Sequence, residues 1–259
     1  MSQDFFKECR DILDEHHDRR ERIIKVSRDI TASSKKMIFA LHRAINQVGG
    51  DRTKAKFKEA ETKLKEIMAL FKKLSVDIQG LNYFRYARSF SGAFEEFVEA
   101  VAFHHYLLYE KIITKQEIDT YFEDEENGKW LSVRDEDYIL GLGDLTGELM
   151  RYAIQIVSSG KYEQAMTICK TLREIDRDFE LIASAYLPVL HKKMGALRAS
   201  IKKVEQGKNQ WSSKVIKLIA PLACYTFQIR GSEYPKEMYM TIIKNHQENY
   251  EQQQQQQEE

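Results

Sequence analysis

The 259-residue sequence predicts an all-α fold, an antiparallel bundle of long helices, and three observations carry that prediction. The chain holds 12 Gly and 3 Pro, where average usage would give roughly 18 and 13, so helix breakers are scarce. Apolar residues recur at three- and four-residue steps over stretches far longer than one strand. No period-2 alternation of useful length appears anywhere.

The elements follow in order. Residues 3–48 read as one helix, with Phe5, Ile12, Ile23, Val26, Ile30, Met37, Leu41 and Ile45 on its stripe and Gly49-Gly50 to stop it. A second helix over about 52–78 aligns Phe57, Leu64, Met68, Phe71 and Leu74. A third, about 81–112, is rich in aromatics, among them Tyr83, Phe84, Tyr86, Phe90, Phe94, Phe97 and Phe103. Thr114 and Glu117 have the spacing of a capping box that opens a short helix. Residues 123–132, EDEENGKWLS, read as loop, and helix resumes over 134–160 and again over 161–185. Pro188 stands early in a helix that runs to about 206, and Pro235 suits the first turn of a last one. No linker divides the chain, so residues 1–250 are expected to form a single domain, with a disordered Gln/Glu-rich tail at 251–259.

Residues 207–222, GKNQWSSKVIKLIAPL, break this pattern. As helix they would turn the following face about 160° out of phase, and Pro221 opposes helix there. IKKVEQ joins ACYTFQIRGSE smoothly when the segment is removed, and its ends can be encoded as the borders of a retained intron. It reads as an insert, either real or a gene-model artefact.

Composition narrows the function classes. Cys9, Cys169 and Cys224 are far apart and in no CxxC, which speaks against a disulfide framework or a zinc knuckle. No apolar stretch is long enough to span a bilayer, and the first residues have no apolar leader core, so a soluble intracellular setting without membrane is expected. Net charge is zero, 40 basic against 40 acidic residues, but it is distributed in blocks. Residues 19–43 carry eight bases, including Arg19, Arg20, Arg22, Lys25 and Arg28, against Glu21 and Asp29; residues 192–217 carry eight more against Glu205. Between them, 117–137 holds nine acids. Basic blocks of this kind are either solvated helix faces or a footprint for a polyanion.

Two pairs of acids stand among apolar neighbours. Glu96 and Glu99 in FEEFVEA are three apart, and Asp144 and Glu148 in GDLTGEL are four apart, so each pair shares a helical face. Acids set in apolar faces must be paired, protonated or metal-bound. On facing helices the four would offer hard oxygen ligands to Mg²⁺ or Mn²⁺, a site able to activate water against a phosphodiester. The same spacing also fits ion pairs with Arg88, Arg151 or bases of a neighbouring chain, and spacing alone leaves both readings open. No Glu-x-x-His occurs, which excludes the di-iron bundle arrangement. The seven histidines form no ligand pattern, His104-His105 reading as core or interface, and neither a phosphate-binding glycine loop nor a nucleophile motif is present. YFRYARSF, 83–90, interleaves Arg85 and Arg88 with aromatics, the combination that grips and stacks single strands, although aromatics at helical spacing are usually core.

Ordered blocks along nearly the whole chain resemble the translin family: HDRRERIIKVSRDITASSKKMIFALHR, EEFVEAVAFHH, DYILGLGDLTGELMR, LHKKMGALRASIKKVE and ACYTFQIRGSEYPK. The resemblance is to its catalytic branch, since translin lacks the acidic set. It implies a helical fold of about seven helices and assembly with translin into a hetero-octamer. It also implies a Mg²⁺-dependent endoribonuclease (Mn²⁺ being possible) that cuts single-stranded RNA, passenger-strand removal in RNA silencing included, with single-stranded DNA as a further ligand. Cytoplasmic and nuclear localisation is expected with it. By the same resemblance Glu96, Glu99 and Asp144 are the catalytic, metal-holding acids, and Glu148 accompanies them. Arg85 and Arg88 fall where translin uses basic and His residues on nucleic acid, and Arg19, Arg20, Arg22, Lys25 and Arg28 would position the RNA backbone. The alternative is a non-catalytic RNA-binding or scaffold partner of translin whose acids are structural.

Overall fold

The computed structural model describes residues 3–46, 57–125, 128–158, 161–182 and 185–206. The insert at 207–222, the helix expected from Pro235 and the Gln-rich tail lie outside the described residues. Within them the chain is helical apart from one small ribbon: α1 (Gln3–Asn46), α2 (Lys58–Asp77), α3 (Leu81–Arg85), α4 (Ala87–Tyr109), α5 (Lys115–Asp119), β1 (Glu123–Asp124), β2 (Gly128–Lys129), α6 (Asp135–Ser158), α7 (Tyr162–Phe179) and α8 (Pro188–Gln206). By compactness it divides within α6, between Leu145 and Thr146, into two units.

In the first unit α1 packs against both α2 and α4. The stripe that periodicity identified supplies the seam: Ile23, Ile30, Met37 and Leu41 are wholly buried. Phe71 of α2 is the hub of an aromatic core, with ring centroids 4.8 Å from Phe94, 5.0 Å from Phe97 and 5.1 Å from Phe122. Edge-on and tilted rings at these separations are attractive beyond the area they bury. His104 belongs to the same interior, edge-on to Phe57 at 5.6 Å, and burial pushes its imidazole below the ordinary histidine value. The expectation that His104 is core therefore holds.

The aromatic helix expected over 81–112 is two helices. Tyr86 leaves helical geometry at φ −102°, ψ 9°, in the sparsely allowed bridge region, and separates α3 from α4. Gly80, at φ 59° and ψ −129°, makes the turn between α2 and α3, a conformation that favours glycine. Thr114 and Glu117 form the expected capping box, complete in both directions. The expected loop at 123–132 contains a two-residue antiparallel pairing, Glu123 opposite Lys129. Asp119 anchors its base by accepting hydrogen bonds from Lys129 at 2.7 Å, Lys115 at 3.2 Å and the Val133 amide at 3.0 Å. Burial would raise this carboxyl, but those donors outweigh it and hold Asp119 below the ordinary aspartate value.

Two contacts set α6 against α4. At the start of α6, Asp137 is wholly buried; it accepts from Arg134 Nη2 at 2.6 Å and Nε at 2.8 Å, and from the Ser91 hydroxyl of α4. One turn further, a Cβ added at Gly141 would lie 2.6 Å from Val98 Cβ and 2.8 Å from the Glu95 carbonyl. Only glycine allows so close an approach. In the second unit α7 packs on α8 through Leu172, Ile175, Leu190 and Leu197. Arg198 of α8 ties the pair with bonds to Asp176 at 2.8 Å and Glu180 at 2.7 Å.

Two glycines therefore give opposite predictions. Gly141→Ala should cost about 1–3 kcal/mol, because neither Val98 nor the α4 backbone can give way cheaply. Gly92→Ala, in the middle of α4 with open space around it, should stabilise by about 0.5–1 kcal/mol. Urea unfolding of both variants beside the parent measures the two signs.

Candidate functional site

The acids singled out by sequence lie on α4 and α6. Glu99 is 3% exposed, its turn enclosed by the wholly buried Phe97, Val98 and Phe103. Glu96 is half-buried and its Oε1 lies 3.3 Å from Lys35 Nζ of α1. Asp144, one turn beyond the Gly141 contact, is half-buried. In the second unit Glu148 is 8% exposed and lies 3.6 Å from the guanidinium of Arg151, which is itself 8% exposed. The pairing of Arg151 with this acid is one that spacing had left open; Arg88, the other candidate, is exposed. Among the described residues no three or more Asp, Glu, His or Cys side chains are gathered closely enough to hold a metal ion.

The basic residues fall into two groups. Arg19, Arg22 and Arg85 are engaged. Arg22 donates to Asp77 at the end of α2 at 2.8 Å, and Arg19 lies 3.0 Å from Glu15 and 3.8 Å from the same Asp77. Arg85 Nη1 reaches His16 Nε2 at 2.9 Å, while His16 Nδ1 lies 2.6 Å from the Tyr86 hydroxyl. That geometry fits a neutral His16 that accepts from Arg85 and donates to Tyr86. Arg20 makes only a surface pair with Glu21 at 3.6 Å. Lys25, Arg28 and Arg88 are exposed and have no ion pair among the described residues. Lys25, Arg28, Lys35 and Lys36 share an arc of about 100° on α1. The ion pair of Lys35 with Glu96 brings the end of this stripe to one of the acids.

The aromatic half of YFRYARSF is corrected. Phe90 is wholly buried beside Phe94, Tyr86 is 6% exposed, and Tyr83 donates its hydroxyl to the Ser132 carbonyl at 2.6 Å. Phe90 is core because α4 turns it onto Phe94 and the Phe71 cluster, Tyr86 is buried beside His16, and Tyr83 is half-buried against Phe90. Only Phe84, 75% exposed, is displayed; it borders an open groove of about 690 Å³ with Tyr83, Trp130 and Arg134. Sequence reasoning missed Ser91, Arg134 and Asp137, which set the start of α6. The signal was available, since Arg134 and Asp137 are spaced three apart, but Asp137 was read as one of an acidic block. No helix among the described residues is long and apolar enough to cross a membrane.

The described residues thus form a helical protein whose α1 carries a basic stripe that ends in an ion pair with a half-buried carboxylate of α4. The family follows from comparison: the Translin family model matches residues 18–208, and the chain belongs to that family. It is 32% identical to Translin-associated protein X of Pongo abelii, over 92% of this chain and 82% of that one. It is 24% identical to Translin of Mus musculus, over 78% of this chain and 89% of that one. Among solved structures it resembles the AfC3PO–duplex RNA complex, with a TM-score of 0.57 and 26% identity over 80% of this chain and 94% of that one. The resemblance inferred from the sequence blocks is thereby borne out. The family match ends at 208, just inside the expected insert.

Proposed function

We propose that this chain is the catalytic subunit of a metal-dependent endoribonuclease that it forms with translin and that acts on single-stranded RNA. The observation that carries the reading is the ion pair between Lys35 and Glu96, which joins an exposed basic stripe to a helix face bearing a second, buried acid, Glu99. Likeness to translin-associated protein X, and to a protein solved with RNA, supports it.

In this reading Lys25, Arg28 and Arg88 take the RNA backbone, because their charges are not already compensated among the described residues. They position it without reading sequence. Arg19 and Arg22 contribute less, their charges being compensated by Asp77, whereas Arg85, exposed beside a neutral His16, keeps its charge for the strand. The donor chemistry of Glu96, Glu99 and Asp144, all carboxylate oxygen, fits a hard divalent cation such as Mg²⁺ or Mn²⁺. Those three would hold it, with Glu148 as the accompanying acid one turn along α6. When bound, the ion would supply an acidified water and offset charge on the departing oxygen. Lys35 would then have to give up Glu96, so gathering the acids depends on exchanging one cation for another. The scaffold reading rests on the same contacts: Glu96 and Glu148 already have basic partners and could be purely structural.

Cleavage of a labelled single strand in Mg²⁺, measured on size-exclusion-purified assemblies, separates the two. Glu96→Ala, Glu99→Ala and Asp144→Ala should each assemble with translin and lose cleavage by at least about a hundredfold. Assemblies that cut at the parental rate would contradict the catalytic reading. If the acids are structural, removing one of a buried pair should instead cost about 3–5 kcal/mol and spoil assembly first.

RNA affinity gives an independent prediction. Replacing Lys25, Arg28 and Arg88 together by Ala should weaken single-strand binding alike for unrelated sequences and lower the slope of log K against log salt by about 2. The Arg19→Ala, Arg22→Ala pair should do less. Fluorescence anisotropy over a salt series reads both.

A further inference from the structure

The first part of α1 is exposed, and the contact it makes with another described element is that of His16, near the end of the stretch, with Tyr86 and Arg85. Phe5 is 52% exposed, Phe6 59%, Ile12 57% and Leu13 67%, and the first wholly buried residue of the helix is Ile23. At about 1.5 Å per residue, Asp4–Asp18 forms an arm over 20 Å long. Its apolar side chains are not scattered. On a 100° helical wheel Phe5, Cys9, Ile12 and His16 lie within about 60° of one another and in line with Ile23, Ile30 and Leu41, the stripe that is buried further along. Phe6 and Leu13 widen the sector on one side. The stripe that seals α1 to α2 and α4 thus continues into a helix face whose apolar side chains Phe5, Ile12 and Leu13 are exposed.

The charge around that face is one-sided. Residues 4–18 carry six acids (Asp4, Glu8, Asp11, Asp14, Glu15 and Asp18) against Lys7 and Arg10, a net of −4. Five of the six, all but Asp14, fall within an arc of about 80° along one border of the apolar sector. Glu8 has no cation partner among the described residues, and Asp18 has only the attraction of Arg22 one turn along the helix. A face of this sign repels a nucleic acid backbone and selects a protein surface with Lys or Arg beside an apolar ridge.

We propose that Asp4–Asp18 is a docking arm that lays Phe5, Ile12 and Leu13 on an apolar helical ridge of translin, with its acidic border against basic side chains of that partner. This rests on the assembly reading above. It adds which surface of this chain makes the contact and why RNA does not compete for it.

The test uses the full chain co-expressed with translin. The assembly is diluted in steps, and its dissociation is followed by size-exclusion with light scattering. Phe5→Ser, Ile12→Ser and Leu13→Ser combined should weaken assembly at least about tenfold. Glu8→Lys with Asp18→Lys should also weaken it and flatten its dependence on salt. Both variants should melt with the parent, since the substituted positions are exposed, and should keep parental RNA affinity. Parental assembly by the serine variant overturns the proposal. Parental assembly and salt dependence by the charge variant overturn the basic-partner element. Loss of RNA affinity with assembly intact would make the arm a nucleic acid contact instead, and self-association of this chain abolished by the serine variant would make a second copy the occupant. A parent chain that does not bind translin at all contradicts the assembly reading, whereas parental binding with unaffected arm variants contradicts the arm alone.

Discussion

The close approach of α6 to α4 at Gly141 is the constraint on which the arrangement of the first unit depends. A glycine in mid-helix sacrifices about 1 kcal/mol of helix propensity. Here it lets the Val98 side chain and the Glu95 carbonyl come within 3 Å of where a Cβ would stand. Val98 directly precedes Glu99, and Gly141 is one turn from Asp144, so both acid-bearing helices take part in this crossing. Among the described residues no three acids are gathered closely enough to hold a metal ion. The buried Asp137–Arg134–Ser91 group fixes the same pair of helices one turn earlier and gives the crossing its register.

Much of the fold was legible because it rests on periodicity. The Ile23, Ile30, Met37 and Leu41 stripe marks a helix face whether or not the partner helix is known, and the Thr114–Glu117 box needs only local spacing. The break at Tyr86 was not legible. Aromatics continue on both sides of it, and nothing in YFRYARSF says that the backbone leaves the helix there. For the same reason sequence left an aromatic core and a stacking surface both open: only tertiary packing distinguishes Phe90, turned onto Phe94, from Phe84, turned to solvent. The ionic contacts were half legible. Spacing along one helix pointed to Arg151 for Glu148, but no spacing rule joins His16 to Arg85, or Lys35 to Glu96, across sixty residues or more.

Those long-range pairs give the basic blocks their meaning. Counting charge over residues 19–43 treats every base alike, whereas the structure separates Arg19 and Arg22, paired with Asp77, from Lys25 and Arg28, which have no ion pair among the described residues. It also shows α1 as a helix of changing character. Its start is acidic and apolar, its middle basic and exposed, and its last turns sealed into the bundle. These stretches follow one another along a single helix of 44 residues, about 66 Å long.

The central claim is that Glu96, Glu99 and Asp144 form a cation site rather than a set of structural ion pairs. Titration of Mn²⁺ into the translin co-assembly, followed by electron paramagnetic resonance, tests it without reference to catalysis. The account predicts saturable uptake by the parent and its loss in Glu99→Gln, which keeps the buried shape and removes the charge. Equal uptake by parent and variant, or none by either, would contradict it.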